Sequence, residues 1–230
     1  MGAWHKAKVK QTRAAAEGLF ELWLEVAGTG VEGAHRRAGQ FVKLRIQGVG
    51  EALFAIASPP GEDPGRLEFL VKTGSPVADA LCRLSPGGEV EVGEVQGAGF
   101  PVERARGKEV LLFGTGSGIS ALRSLIGVLL RDRSAYGRVT LYFGARTPDA
   151  FAYAHELDVW EERGIRVLRT VSRPGASGWN GLKGYVQTHV PPRPLEDAVA
   201  FLCGQQEMVK GVTEVLTRRG LPQESIHLNY

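Results

Sequence analysis

The sequence predicts two unlike domains in tandem: an N-terminal antiparallel β-barrel over residues 1–104 and a C-terminal α/β domain with a parallel sheet over residues 105–230. Three observations predict this. Up to about Glu103 the apolar residues recur with period two, as half-buried strands require. After Gly107, stretches of strand period alternate with stretches of helical period. Clusters of Gly and Pro punctuate the apolar runs. With 43% hydrophobic and 23% charged residues, the 230-residue chain has the composition of a globular protein with a real core.

In the first half, Phe20 to Val26 and Phe41 to Ile46 mostly alternate charged with apolar side chains. Short apolar runs follow over 52–57, 67–72 and 89–95, separated by turn clusters at 59–65 and 85–88. Several short strands at this spacing suggest a small barrel. Only 76–84 has helical character, with Pro76 suited to a first turn. In the second half, strand 109–113 runs into Gly114-Thr115-Gly116-Ser117-Gly118. Ile119, Leu122, Leu125, Ile126, Leu129 and Leu130 then share a helical face. Strand 138–143, helix 155–163, strands 165–171 and 199–203, helix 207–219 and strand 225–230 complete the pattern, with Gly220 as a helix stop.

Several function classes are excluded on composition. No apolar stretch approaches the roughly 18 residues of a membrane helix, and Met1 to Lys10 lacks a secretory core, so a cytoplasmic protein with no membrane partner is expected. A net charge of +3, with basic residues only in pairs (Arg36-Arg37, Arg218-Arg219), argues against a nucleic-acid partner. Two cysteines and five histidines without ligand spacing argue against a metal centre or iron–sulfur cluster.

Gly114 to Gly118 ends a strand and opens a helix, where backbone N–H groups and the helix dipole can meet an anion; the alternative is a tight strand–helix turn. It is neither G-x-G-x-x-G, since Ile119 stands at the third glycine, nor a P-loop, nor a nucleophile elbow around Ser117. The next strand ends offer donors: Arg146 after one, Ser172-Arg173 after the next, then Lys183 and Tyr185 beyond a Gly-rich loop. Such donors suit a 2′-phosphate, where an NAD site would place a carboxylate; the alternative is ordinary solvated surface charge. Cys203-Gly204 closes a third strand on the same edge, and a cysteine there is usually a small buried hydrophobe.

The combination of Gly114-Thr115-Gly116-Ser117-Gly118, Ser172-Arg173, Lys183-Gly184-Tyr185-Val186-Gln187, Cys203-Gly204 with Met208, and a terminal Tyr230 resembles the ferredoxin–NADP reductase superfamily. The resemblance extends to electron-transfer subunits of dihydroorotate dehydrogenase type, without their cysteine-ligated cluster. It implies an FAD-binding barrel and an NAD(P)-binding α/β domain, with NADP(H) favoured over NAD(H). Carried over, Phe54, Ala55, Ile56, Ser58, Val71, Gly74, Val77 and Ala78 would bind FAD. Gly114 to Gly118, Arg146, Ser172, Arg173, Lys183, Tyr185, Gln187, Gly204 and Met208 would bind NADP(H). Cys203 would lie at the nicotinamide and Tyr230 would cover the flavin, as the catalytic pair.

The flavin half departs from the family pattern R-x-Y-S: the arginine is Ala52, the tyrosine Phe54 and the hydroxyl Ala55, and the phosphate-binding Ser/Thr aligns with Ala78. Phe54 can still stack, and N–H groups of Ile56, Gly74 and the helix near Val77 are the donors left for a diphosphate. Loss of the charge-assisted contact would cost about 1.5–3 kcal/mol. The implied activity passes a hydride from NADPH to FAD and electrons onward to a protein or small-molecule acceptor at the flavin edge. The alternatives are a non-catalytic subunit that has lost tight FAD binding, and a reductase of free flavin.

Overall fold

A computed structural model describes residues 2–176 and 178–229. The first sheet contains β1 (Trp4–Ala16), β2 (Leu19–Glu25), β3 (Phe41–Ile46), β4 (Gly50–Ala55), β5 (Arg66–Lys72) and β6 (Glu89–Gly93), in the antiparallel order β4-β3-β6-β1-β2-β5. Its end strands meet just past β4. Ile56 bridges Phe69, and the Ala57 N–H donates to the Glu68 carbonyl at 2.7 Å, so the sheet closes into a barrel with no free edge there. Val9, Leu22, Leu24, Val42, Leu44 and Phe69 fill the interior, and helix α1 (Pro76–Cys82) plugs one end with Val77, Ala78 and Leu81.

Strand β1 was not legible from alternation. Its thirteen residues pair with both β2 and β6, but register shifts at Val9/Gln11 and Ala14/Ala16 break the period of two.

The second sheet is parallel: β7 (Glu109–Thr115), β8 (Val139–Ala145), β9 (Ile165–Val171), β10 (Leu182–Lys183), β11 (Ala198–Cys203) and β12 (Ile226–Leu228), ordered β10-β9-β8-β7-β11-β12. Helices α2 (Ile119–Arg131) and α3 (Ala154–Glu162) cover one face, and α4 (Gln206–Arg218) covers the other through Met208, Val212 and Leu216. The central strands are buried on both faces, which is why they read as unbroken apolar runs.

The two halves meet at a seam along α2, and also where the Glu17 N–H donates to the Asp149 carbonyl at 3.2 Å and Phe100 packs edge-on to Phe201. The extended segment Ala57-Ser58-Pro59-Pro60 lies against the helix face that carries Arg123, Ser124, Gly127 and Arg131. Arg123 donates to the Ala57 carbonyl (3.2 Å), the Ser124 hydroxyl to the Ser58 carbonyl (2.8 Å) and Arg131 to the Pro60 carbonyl (2.6 Å). A Cβ on Gly127 would stand 2.2 Å from Pro59, so only glycine admits this approach.

Arg123 does more than close one bond. It is half-buried, donates twice to Glu156 of α3 (2.8 and 3.0 Å) and once to Glu68 of β5 (2.8 Å), and lies over the Tyr153 ring at 4.9 Å. Tyr153, with its hydroxyl pushed well above the phenol range by burial, holds a left-handed backbone (φ 58°) at the start of α3. One guanidinium thus ties the barrel, α2 and α3 together.

Candidate functional site

The site follows from the strand order. β7 has β8 on one side and β11 on the other, so the chain reverses its direction of winding at β7, and the loops after β7 and β11 diverge there. A crevice opens at the carboxyl ends of strands at such a point. Cys203 pairs in register with Gly114, which brings Cys203-Gly204 beside the turn Gly114 to Gly118. The two loops touch closely. A Cβ on Gly118 would stand 2.3 Å from the Cys203 carbonyl oxygen, and one on Gly204 would stand 2.2 Å from Thr115 Oγ1. The Gln205 N–H donates to Thr115 Oγ1 at 3.3 Å.

Gly116 and Ser117 form a 3-10 turn with Gly118 that leads directly into α2, and no side chain caps this helix start. Its orphan N–H groups are those an anion can satisfy. Met208 is buried and packs under Gly204, in the core between the sheet and α4. Cys203 is mostly buried, which pushes its thiol up to about 11, and Asn229 Nδ2 approaches its sulfur at 3.8 Å. The thiol is therefore neutral at pH 7. Tyr230, expected to cover the flavin, lies outside the described residues.

The strand-end donors converge. Val171 pairs with both Ala145 and Lys183, so Arg146, Ser172-Arg173 and Lys183 leave three neighbouring strands at one level. The Arg173 N–H donates to the Arg146 carbonyl (2.8 Å) and the Gly184 N–H to the Val171 carbonyl (3.0 Å), fixing the backbone from which these side chains project. Arg146, Arg173, Lys183 and Tyr185 are exposed, and none of the three cations is in an ion pair among the described residues. Gln187 does not join them. It lies against Gly211 of α4, with its Oε1 buried and without a hydrogen-bond partner.

The flavin element is arranged differently from what the resemblance implies. Phe54 and Ala52 pack against the barrel interior, Ala55 faces the seam, and Leu53 between them is 57% exposed. Ile56, Val71, Val77 and Ala78 are buried, and the Ile56 N–H, expected as a diphosphate donor, donates instead to the Gln40 carbonyl at 3.0 Å. Ser58 is committed to the seam: its Oγ accepts from the Glu68 N–H (3.2 Å) and its carbonyl from Ser124. The Gly74 N–H donates to Asp79 Oδ1 at 2.8 Å, and Ser75 Oγ accepts from the Ala78 N–H at 3.4 Å. A carboxylate of the chain thus occupies the turn where the diphosphate was expected. The nucleotide edge fits a dinucleotide; the α1 turn as it stands does not fit a second diphosphate.

Sequence reasoning missed Asp79, Asn229 and the Arg123–Glu68–Glu156 cluster. For the seam a signal existed: Ser120, Ser124, Gly127 and Arg131 recur at helical spacing, with Ser120 and Ser124 buried. For Asp79 and Asn229 there was none.

Among the described residues no helix is long and apolar enough to cross a membrane, and no group of three His, Cys, Asp or Glu is placed to hold a metal ion. The family described as "Oxidoreductase NAD-binding domain" matches residues 112–214. The gamma subunit of sulfhydrogenase 1 from Pyrococcus furiosus is 34% identical over 83% of this chain and 66% of its own length. Ferredoxin–NADP reductase B from Sorangium cellulosum is 32% identical over 83% of each chain. A ferredoxin–NADP+ reductase from Neisseria gonorrhoeae, solved with bound FAD and NADP, superposes over the full length of both chains with a TM-score of 0.81 at 18% identity. The chain belongs to the ferredoxin–NADP reductase-like superfamily of flavin-dependent NAD(P)H oxidoreductases.

Proposed function

We propose that the protein, working in the cytoplasm, takes hydride from NADPH and delivers it to a flavin, from which electrons pass to an acceptor at the flavin edge. Residues 105–230 bind the nucleotide and residues 1–104 receive the flavin. One observation carries the nucleotide half. Arg146, Arg173 and Lys183 leave adjacent strands at one level without a carboxylate partner among the described residues, a triple cation that suits a 2′-phosphate and has no use for a bare ribose hydroxyl. Ser172 and Tyr185 add hydroxyl donors. Thr115 and the turn Gly116 to Gly118 receive the pyrophosphate at the start of α2, and Gly204, with no side chain, lets its loop close against Thr115 there. Cys203, as a neutral thiol, offers the nicotinamide a close contact that adds no charge.

A bound flavin supplies the hydride-accepting ring; the chain orients the two ring systems and keeps water from between them. The Asp79 carboxylate on Gly74 and the alanine at position 52 favour a flavin that is held loosely and exchanges, so that free flavin serves as a substrate. In that reading the barrel contributes the Ala55 face of the seam and little to the diphosphate.

Anaerobic bleaching of added FAD by NADPH and by NADH tests both halves. NADPH is expected to be the better donor. Arg173→Ala is expected to raise the KM for NADPH about tenfold to a hundredfold, the effect of losing a charge-assisted contact, and to leave NADH unchanged. An unaltered preference removes the 2′-phosphate assignment. Failure of both nucleotides to bleach added flavin removes hydride transfer and leaves a nucleotide-binding subunit.

A further inference from the structure

A cleft of about 610 Å3 lies behind the seam, away from the glycine-rich turn. Its walls come from the loop after β2 (Gly33 to Ala38), the segment Ser58 to Leu67, the connection Phe100 to Glu103, and the last turns of α2 at Val128 and Arg131. The glycine-rich turn is at the other end of α2, thirteen residues or about 20 Å along the helix axis. A concave space of this volume at the junction of two layers is where small ligands are commonly bound.

The charge of the lining is one-sided. Arg36, Arg37, Arg66 and Arg131 face Asp63 and Glu103, so cations outnumber carboxylates by two. His35, also on the wall, is buried and its ring is pulled down to about 4 by desolvation, so it adds no charge at pH 7. The carboxylates hold the arginines weakly: Arg37–Glu103 is 3.8 Å and Arg66–Asp63 is 3.7 Å. Arg66 keeps one guanidinium nitrogen on Glu68 at 3.2 Å, while its Nε is buried with no hydrogen-bond partner. Arg36 is in no ion pair among the described residues, and Arg131 has only the Pro60 carbonyl. The loop that presents Arg36 and Arg37 is fixed, because Gln40 Oε1 accepts both of their backbone N–H groups at 2.8 and 2.9 Å. Between the cations, Pro59, Pro60, Leu67 and Val128 provide apolar wall.

We propose that this cleft is a binding site, separate from the dinucleotide edge, for a ring-bearing phosphate monoester of mononucleotide size. The dianion answers the surplus of two guanidinium charges, and planar guanidinium forks suit phosphate oxygens. The ring lies on the proline and valine wall. Because the walls come from the barrel and from α2, a bound ligand also braces the seam.

Adenosine 5′-monophosphate is the probe, with uncharged adenosine and inorganic pyrophosphate as controls, titrated calorimetrically into the full chain. The exposed pair Arg36→Ala/Arg131→Ala is expected to weaken binding of adenosine 5′-monophosphate about tenfold or more, whereas Arg173→Ala/Lys183→Ala leaves it in place. Adenosine is expected to bind far more weakly than the monophosphate, and pyrophosphate without the ring also more weakly. Photolabelling with the 8-azido derivative gives a readout independent of any variant, with label expected between residues 58 and 66 or at 128–131. The proposal is overturned by undetectable binding, by loss of binding in the Arg173/Lys183 variant alone, by label confined to 172–185, or by pyrophosphate matching the monophosphate.

Discussion

The two strand-to-helix turns that the family resemblance assigns to diphosphates, Gly74 to Ala78 and Gly114 to Gly118, have been finished in opposite ways. At Gly74 to Ala78 the chain supplies its own anion. Asp79 takes the Gly74 N–H, Ser75 caps the Ala78 N–H, and the following residues are buried as the barrel plug. At Gly114 to Gly118 no side chain caps the helix, and the neighbouring strand ends carry cations without carboxylate partners among the described residues. Capping stabilises a helix start by about 0.5–2 kcal/mol. The barrel turn has that stabilisation internally, whereas the sheet turn leaves its donors for a ligand. On the function proposed above, the nucleotide is the ligand for the open turn, and a flavin diphosphate at the barrel turn would compete with the Asp79 carboxylate.

Both turns are held in one frame by Arg123, and removing it is the largest perturbation expected. Arg123 is 17% exposed, Glu68 11% and Glu156 23%. Burial raises the Glu156 carboxyl, and Arg123 opposes that shift. Arg123→Met leaves the Glu156 carboxylate without its guanidinium partner and Glu68 with Arg66 alone, at a cost of about 3–5 kcal/mol. The check is the urea midpoint at pH 7, with partial recovery expected in Arg123→Met/Glu156→Gln. A loss below about 1 kcal/mol would mean that the two halves are held by apolar packing and by the remaining seam hydrogen bonds of Ser124 and Arg131, without need of this cluster.

The contrast between the turns can also be reversed. Ala52→Arg combined with Asp79→Asn restores a cation and removes the competing carboxylate, and is expected to strengthen FAD binding about tenfold to more than a hundredfold, corresponding to about 1.5–3 kcal/mol. Titration with FAD, followed by quenching of flavin fluorescence, measures this. Asp79→Asn alone separates the two contributions. Unchanged affinity in the double variant would mean that the flavin does not use the α1 turn at all.

How far these features could be seen in the sequence depended on whether they were local. The parallel strands Val110–Phe113, Val139–Phe143 and Val199–Leu202 are buried on both faces, so each appears as an apolar run. Arg146 stands out because it immediately follows such a strand, Arg173 because it comes two residues after the end of β9, and Lys183 only because it lies beyond a Gly-rich loop. Strand β1 was invisible because two bulges reset its alternation. The state of the barrel turn was invisible for another reason. Ala52 and Ala55 announce missing donors, but whether the Gly74 and Ile56 N–H groups are already taken depends on where Asp79 and Gln40 come to rest in space. Arg123 sits between Leu122 and Ser124 on an otherwise apolar and small-residue helix, and nothing in its neighbours marks it as a half-buried hub.

Cysteine chemistry offers the finest comparison of the two halves, because each half holds one free thiol. Burial pushes both Cys82 and Cys203 up to about 11. The reactive form is the thiolate, so alkylation of both is slow at pH 8 and is expected to rise about tenfold per pH unit towards 11. Cys82 lies at the end of α1, against the barrel core, and Cys203 lies at the nucleotide edge beside Gly204. Saturating NADP+ is therefore expected to slow iodoacetamide labelling of Cys203 and to leave the rate at Cys82 unchanged, as read by peptide mass spectrometry over a pH series. FAD gives the sharper contrast. If the barrel turn holds flavin only loosely, FAD alone protects Cys203 far less than NADP+ does, whereas equal protection by FAD alone would show that the capped turn yields to the flavin after all.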